Sequence, residues 1–353
     1  MRARLFPVLL LTLAAAGCGL FPQGEKPEAA RELRLFNWAE YIDPAIVADF
    51  EREFDCKVIQ ETYENNEELL AKLEAGGVAT YDVIVPSDYL VSTLIDRGFL
   101  APLRPENVPN LSNLEVRFAS PAFDPGNRYT AAYIWGTTGL YVRETPGKPL
   151  PETWGLLFDP AQQAGPFLLM DSMREMMAPA LIYLGASINT KDPAEIAAAR
   201  DLLERTARRA AGWADGVTAT DPVVKGQVTA AVVYNGDALK DLSDHPETRY
   251  FVPREGGEIW VDNMAIPLGA PHRDLAEQFI NFILDGRIGG RLANFNRGAT
   301  PNRLAKPWVR PEDLENRAIY PGLDQMDRLE FLSDLGPALK LYEEAWGTVR
   351  GKP

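Results

Sequence analysis

The sequence predicts an α/β protein of two lobes, each a mainly parallel sheet flanked by helices, with a ligand cleft between them. Three observations predict it. Strand-like and helix-like segments alternate from Leu33 to Gly98, the alternation restarts at Phe167 after a long apolar run, and 353 residues are too many for one simple core.

The chain opens with Arg2 and Arg4, continues as "LFPVLLLTLAAA" and reaches "AAGC" at Cys18. An apolar run this short falls below the roughly 20 residues of a spanning helix and reads as a signal peptide, residues 1–17, ending in a lipobox. Cys18 is then the lipidated mature N-terminus, and residues 18–31, rich in Gly, Pro and charge, are a tether. The expected localisation is the periplasmic or cell-surface side of a membrane, held by the lipid alone.

"LRLFNWAEYID" begins as a strand, and Asp43 with Pro44 starts a helix carrying Ile46, Val47, Phe50 and Phe54 at helical spacing. The strand "CKVIQETY", a helix "NEELLAKLEAGG" stopped by Gly76, the strand "YDVIVPS" and the helix "DYLVSTLIDRG" follow. After "YTAAYIWGTTGLYV" come the strand "FLLM", helices from Met173 and from Asp192, and the strand "VTAAVVYNGD". "YFVPREGGEIWVDNMAIP" reads as a hairpin followed by a return strand, and "RDLAEQFINFILDG" as an amphipathic helix. At least two crossings between lobes are expected, one near Tyr133–Gly139 and another near Trp260–Ile266. This assigns 32–135 plus 265–325 to one lobe and 136–264 plus 326–353 to the other.

A net charge of −14 argues against nucleic acid as a partner and suits a cationic ligand. With Cys18 lipidated, only Cys56 of the two cysteines remains, so neither a disulfide nor a sulfur-ligated metal is expected. His245 and His272 lie in polar loops, and no nucleophile elbow, "HExxH" helix or phosphate loop is present. Nothing here assigns a catalytic residue, metal or cofactor. Paired carboxylates for glycoside cleavage stay open, although no spacing singles out a pair.

What recurs is an aromatic beside an acid at the end of a predicted strand: "NWAEY" (Trp38, Glu40, Tyr41), "YNGD" (Tyr234, Asp237) and "IWVDN" (Trp260, Asp262), with Ser87, Tyr89 and Glu175 nearby. Ligands of open α/β sheets sit at such ends. Aromatic faces attract ammonium groups and cover methylene chains, while carboxylates accept charge-assisted hydrogen bonds from the ammonium protons. Taken singly, each cluster is equally well a core tryptophan with a capping acid. Together they suit a flexible cation with amines at intervals.

At these residues the chain resembles the spermidine/putrescine-binding proteins of bacterial ABC polyamine importers. The likeness rests on "LFNWAEYIDP", "TYENNEELLAKL", "YDVIVPSDYLV", "YIWGTTGLYV", "DSMREMM", "VVYNGDA", "GGEIWVDNMAIP", "INFIL" and "ATPN" in order. It implies a type II periplasmic-binding fold whose lobes close on a polyamine, no enzymatic activity, a monomer, and permease and ATPase subunits as partners. Trp38, Tyr41, Ser87, Tyr89, Glu175, Trp260 and Asp262 match the residues lining that family's cleft, and Glu40 matches a nearby acid. Departures are Ala39 for threonine, Ser172 for aspartate, Tyr234 for tryptophan, Gly298 for tyrosine and Leu332 for glutamine, which leave the preferred amine open. The runner-up is a receptor for another small organic solute, with Arg297 as the candidate partner of a ligand carboxylate.

Overall fold

The structure, a computed structural model, describes residues 31–351, so Cys18, the signal peptide and most of the tether lie outside the described residues. Its strands are β1 (Arg31–Trp38), β2 (Cys56–Tyr63), β3 (Val83–Ile84), β4 (Thr130–Arg143), β5 (Phe167–Met170), β6 (Gly212–Ala214), β7 (Ala230–Tyr234), β8 (Thr248–Phe251), β9 (Gly257–Ala265) and β10 (Leu329–Glu330). They share one hydrogen-bonded path, β2-β1-β3-β9-β4-β7-β5-β6, with β8 on β4 and β10 on β9.

Local chemistry accounts for the elements that frame the cleft. In the helix Pro44–Phe54, Asp43 accepts from the Ala45 N–H and Pro44 occupies the first turn, where its missing donor costs nothing. Ile46, Val47 and Phe50 bury its inner face. "YDVIVPS" contracts to the two residues of β3, because Pro86 has no N–H for the ladder. "VTAAVVYNGD" likewise ends as a strand at Tyr234, and Asn235 begins the helix Asn235–Asp241.

The expected hairpin at Tyr250–Ile266 is not formed. β8 pairs with Leu140–Arg143 and β9 with Thr130–Thr137, so both lie end to end along one edge of β4. β4 is long enough to template both, and each gains a full ladder from it.

The trio β2, β1, β3 is parallel, as is the trio β7, β5, β6, and the antiparallel β9–β4 pair joins them. Strand sense reverses once between β3 and β9 and again at each step to β4 and β7, so the two trios run in opposite directions. Their carboxyl ends therefore converge on the middle of β4 and β9. One apolar core lies under β1, β3 and the helix Arg273–Ile283; another lies under β5 and β7, where the helix Leu339–Val349 packs on Pro193–Ala207. No helix among the described residues is long and apolar enough to cross a membrane.

Candidate functional site

The convergence point gathers most of the residues singled out from sequence. β1 ends at Trp38, whose indole Nε1 donates to the Val85 carbonyl at 2.9 Å. Trp38 also stacks obliquely on Tyr63 at 4.7 Å, so its ring plane is fixed from two sides. Three residues on, Tyr41 donates its hydroxyl to Asp262 Oδ2 at 2.6 Å. Ser87 donates to Asp262 Oδ1, also at 2.6 Å, and pairs with it across an isolated antiparallel bridge. Asp262 is therefore held at both oxygens by neutral hydroxyls. Burial lifts its carboxyl to about 6, against which the two hydrogen bonds pull only weakly.

On the opposite strand ends, Tyr234 donates to Glu175 Oε1 at 3.1 Å, and the Ser172 hydroxyl donates to Glu175 Oε2. Ser172 stands at the N-cap of the helix Met173–Tyr183, yet its side chain bonds the carboxylate and not the helix N–H groups. The Tyr89 hydroxyl accepts from Asn66 Nδ2 at 2.9 Å, and Asn66 Oδ1 accepts the Ser87 N–H, so one side chain ties both ends of the turn before the helix Asp88–Asp96. Trp260 meets Tyr234 edge to face at 6.1 Å. Its ring lies over Gly136, its partner in the β4 register, where any Cβ would overlap the indole. That glycine is the reason the indole can lie flat against β4.

Not every expected residue joins. Glu40 is exposed in a left-handed turn (φ 53°) and makes none of the hydrogen bonds that tie the cluster. Asp237 faces Lys240 at 3.3 Å instead. Arg297 contacts Asp313 at 3.3 Å and the Leu239 carbonyl, so the arginine that favoured a carboxylate ligand has partners of its own. Gly298 does not open a gap: a Cβ there would come within 2.7 Å of Ile134. Leu332 is 1% exposed within a core cluster. His272 is not a free loop residue, since its backbone and Nδ1 both approach buried Asp82.

Two further acids stand at the convergence point, and of these Glu258 was not singled out from the sequence. Asp88 is 1% exposed, and its carboxylate is met by the backbone N–H groups of Tyr89, at 2.8 Å, and Val261. Glu258 is 4% exposed and accepts from Thr138 at 2.7 Å. Burial, and then the neighbouring carboxylates, hold both well above the ordinary range. The pattern "PSDY" carried the signal for Asp88, but an acid opening a helix reads as a dipole-compensating residue.

Asp88, Glu175, Glu258 and Asp262 are thus buried acids that form no ion pair among the described residues. Arg174 lies near, yet its guanidinium bonds the Ser333 carbonyl and Asn189. Uncompensated buried carboxylates are costly, and the site reduces that cost only by accepting a cation or retaining protons. Aromatic side chains adjoin them: Tyr41 bonds Asp262, Tyr234 bonds Glu175, and Trp260 meets Tyr234 edge to face. The indole N–H of Trp260 is also buried without a partner.

Residues 45–287 match the family model for bacterial extracellular solute-binding proteins. The chain is 33% identical over 339 residues to the spermidine/putrescine-binding periplasmic protein of Escherichia coli K12, covering 96% of this chain and 97% of that one. The crystal structure of a spermidine/putrescine ABC transporter substrate-binding protein from Streptococcus pneumoniae superposes with a TM-score of 0.84 at 30% identity, covering 91% of this chain and 99% of that one. A Treponema pallidum lipoprotein gives 0.82 at 26% identity, covering 91% and 100%. The convergent strand ends, the cleft between two lobes and these matches place the chain among the bacterial extracellular solute-binding proteins.

Proposed function

We propose that the protein captures linear polyamines, putrescine and spermidine, between the Asp262 and Glu175 ends of the cleft and passes them to the permease and ATPase of an ABC importer. As a member of its family it binds and releases its solute without chemical turnover. The observation that carries the reading is the set of buried, unpaired carboxylates interleaved with Trp38, Tyr41, Tyr89, Tyr234 and Trp260. An ammonium group would complete the hydrogen bonding of Asp262 and Glu175, each contact being worth about 1.5–3 kcal/mol. The rings would cover the methylenes. The relatives named for spermidine and putrescine support the same class, and so does the net charge of −14.

The working arrangement follows. Residues 32–135 with 265–325 make one lobe and 136–264 with 326–353 the other, which agrees with the helix Leu339–Val349 packing on the core around β5 and β7. Residues 1–17 are removed, Cys18 carries the lipid, and 18–31 let a monomer reach its transporter. One acyl chain anchors only marginally, so a diacylglyceryl group is expected.

Calorimetric titration of ligand-free protein with putrescine and with spermidine tests the reading, with the amine recovered afterwards and analysed. Binding with the amine chemically unchanged is the expected result. Absence of binding by both amines would overturn it.

A further inference from the structure

Glu258 belongs to none of the aromatic and acidic clusters read from the sequence. It nevertheless shares a strand face with two of their members. Along β9, Glu258, Trp260 and Asp262 alternate with Ile259 and Val261, so their side chains leave the sheet on one side. Thr138, which donates to Glu258 at 2.7 Å, stands opposite Tyr234 in the β4–β7 register. Tyr234 in turn donates to Glu175. The row Tyr234, Thr138, Glu258 thus crosses three strands and ties Glu258 to the far end of the cleft.

The groups facing Glu258 leave it without a counter-charge. Glu175 and Asp88 repel it, and Arg174 attracts it. But Arg174 bonds Ser333 and Asn189, lies 5.3 Å over the Tyr342 ring, and forms no ion pair with Glu258. Thr138 is the one hydrogen-bond donor to Glu258 among the described residues. Asp88, which interacts with Asp262, Glu175 and Glu258 alike, is likewise buried with no counter-charge among the described residues.

Spacing decides what could reach Glu258. Four residues of strand separate it from Asp262, about 13 Å at the usual rise. With ordinary bond lengths and angles, a four-methylene diamine spans about 6 Å between nitrogens, and a triamine with a further three-methylene arm about 11 Å. A hydrogen bond of about 2.8 Å at each end brings the diamine's reach to about 12 Å, just short of that span. The triamine, about 17 Å from carboxylate to carboxylate when extended, covers it with its chain bent.

We propose that Glu258 is a specificity-determining carboxylate that receives the far ammonium of a triamine whose near ammonium is held by Asp262, an inference that rests on the polyamine reading above. It makes length discrimination a property of β9 itself. The test is calorimetry of putrescine and spermidine against the wild type, Glu258→Gln and, as a charge-matched control on the adjoining strand, Glu330→Gln. Glu258→Gln should weaken spermidine by about tenfold or more and putrescine by less than about threefold, with Glu330→Gln changing neither ratio. Should Glu258→Gln fail to fold, Glu258→Asp, which keeps the charge but withdraws it by one methylene, must show the same selective loss. An unchanged spermidine to putrescine ratio in the folded variant overturns the role of Glu258 and leaves the polyamine reading standing. A wild type that binds neither amine overturns both.

Discussion

Tyr41 and Asp262 lie 221 residues apart in the chain and meet at 2.6 Å, hydroxyl to carboxylate. With Ser87 on the other oxygen, Asp262 is pre-oriented before any cation arrives, and reorganisation on binding is small.

Asp262→Asn should therefore weaken polyamine binding far more than Asp237→Asn. Removing a carboxylate from its ammonium partner in a closed cleft costs about 2–5 kcal/mol. Asp237 faces Lys240 outside the cluster, so its loss should shift affinity by less than about threefold. Side-by-side calorimetry decides this, and equal small effects would show that the cleft is wrongly assigned.

The pH dependence has a definite sign. Burial raises the Asp262 carboxyl from 3.8 to about 6 in the folded protein, so folding takes up a proton between those values. Ligand-free stability from this group is then fully present below 3.8 and is lost as pH rises through about 6, by an amount on the order of 3 kcal/mol. Asp88 and Glu258 act in the same direction. An ammonium ligand favours the ionised carboxylates, so binding should weaken as pH falls through about 6. Thermal melts with and without spermidine across that range check both halves. A ligand-induced rise in Tm that grows toward acid would contradict the assignment.

Gly136→Ala should lower affinity without touching the ligand. The added methyl overlaps the Trp260 ring and the Asn235 side chain, and overpacking of this kind costs about 1–3 kcal/mol. Part of that should appear as a displaced indole, read as a changed tryptophan emission, and part as weaker binding. Unaltered emission together with unaltered affinity would mean that Trp260 is not seated as described.

Putrescine and spermidine should bind the wild type within about tenfold of one another, a gap of about 1.4 kcal/mol. Ser172 is committed to Glu175 and brings no charge of its own, which limits any strong preference. A hundredfold preference for either amine would refute this.

Mass spectrometry of the membrane fraction should find Cys18 carrying a diacylglyceryl group as the first residue of the mature chain. A mature chain starting elsewhere would remove the anchor from the scheme.

Much of the framework could be read from residues alone because local chemistry dictates it. Asp43 and Pro44 start a helix wherever an amphipathic run follows, and "NWAEY" announces a strand end by placing a polar, aromatic turn after an apolar alternation. Trp38, Tyr41, Ser87, Tyr89, Glu175, Tyr234, Trp260 and Asp262 all sit at or beside the converging strand ends. What escaped depends on partners distant in sequence. Glu258 looks like an edge acid in "GGEIW" until β4 supplies Thr138, and Gly136 looks like flexibility until Trp260 is laid on it. The end-to-end placement of β8 and β9 was hidden for the same reason, since turn residues between two strands suggest a hairpin whether or not a longer neighbour competes for both.

β4 runs for 14 residues from one trio of strands to the other, with β9 beside it and a register slip between Ala132 and Ile134. Rotation of the proposed lobes against each other would twist these two strands together with the third crossing near residue 325, and Trp260 and Asp262 sit on β9. On the proposed function the axle would then also be the sensor, since a cation touching β9 would act on the pivot with no relay. Affinity and opening equilibrium would then be coupled, so substitutions that retune selectivity on β9 should also retune how readily the two halves part.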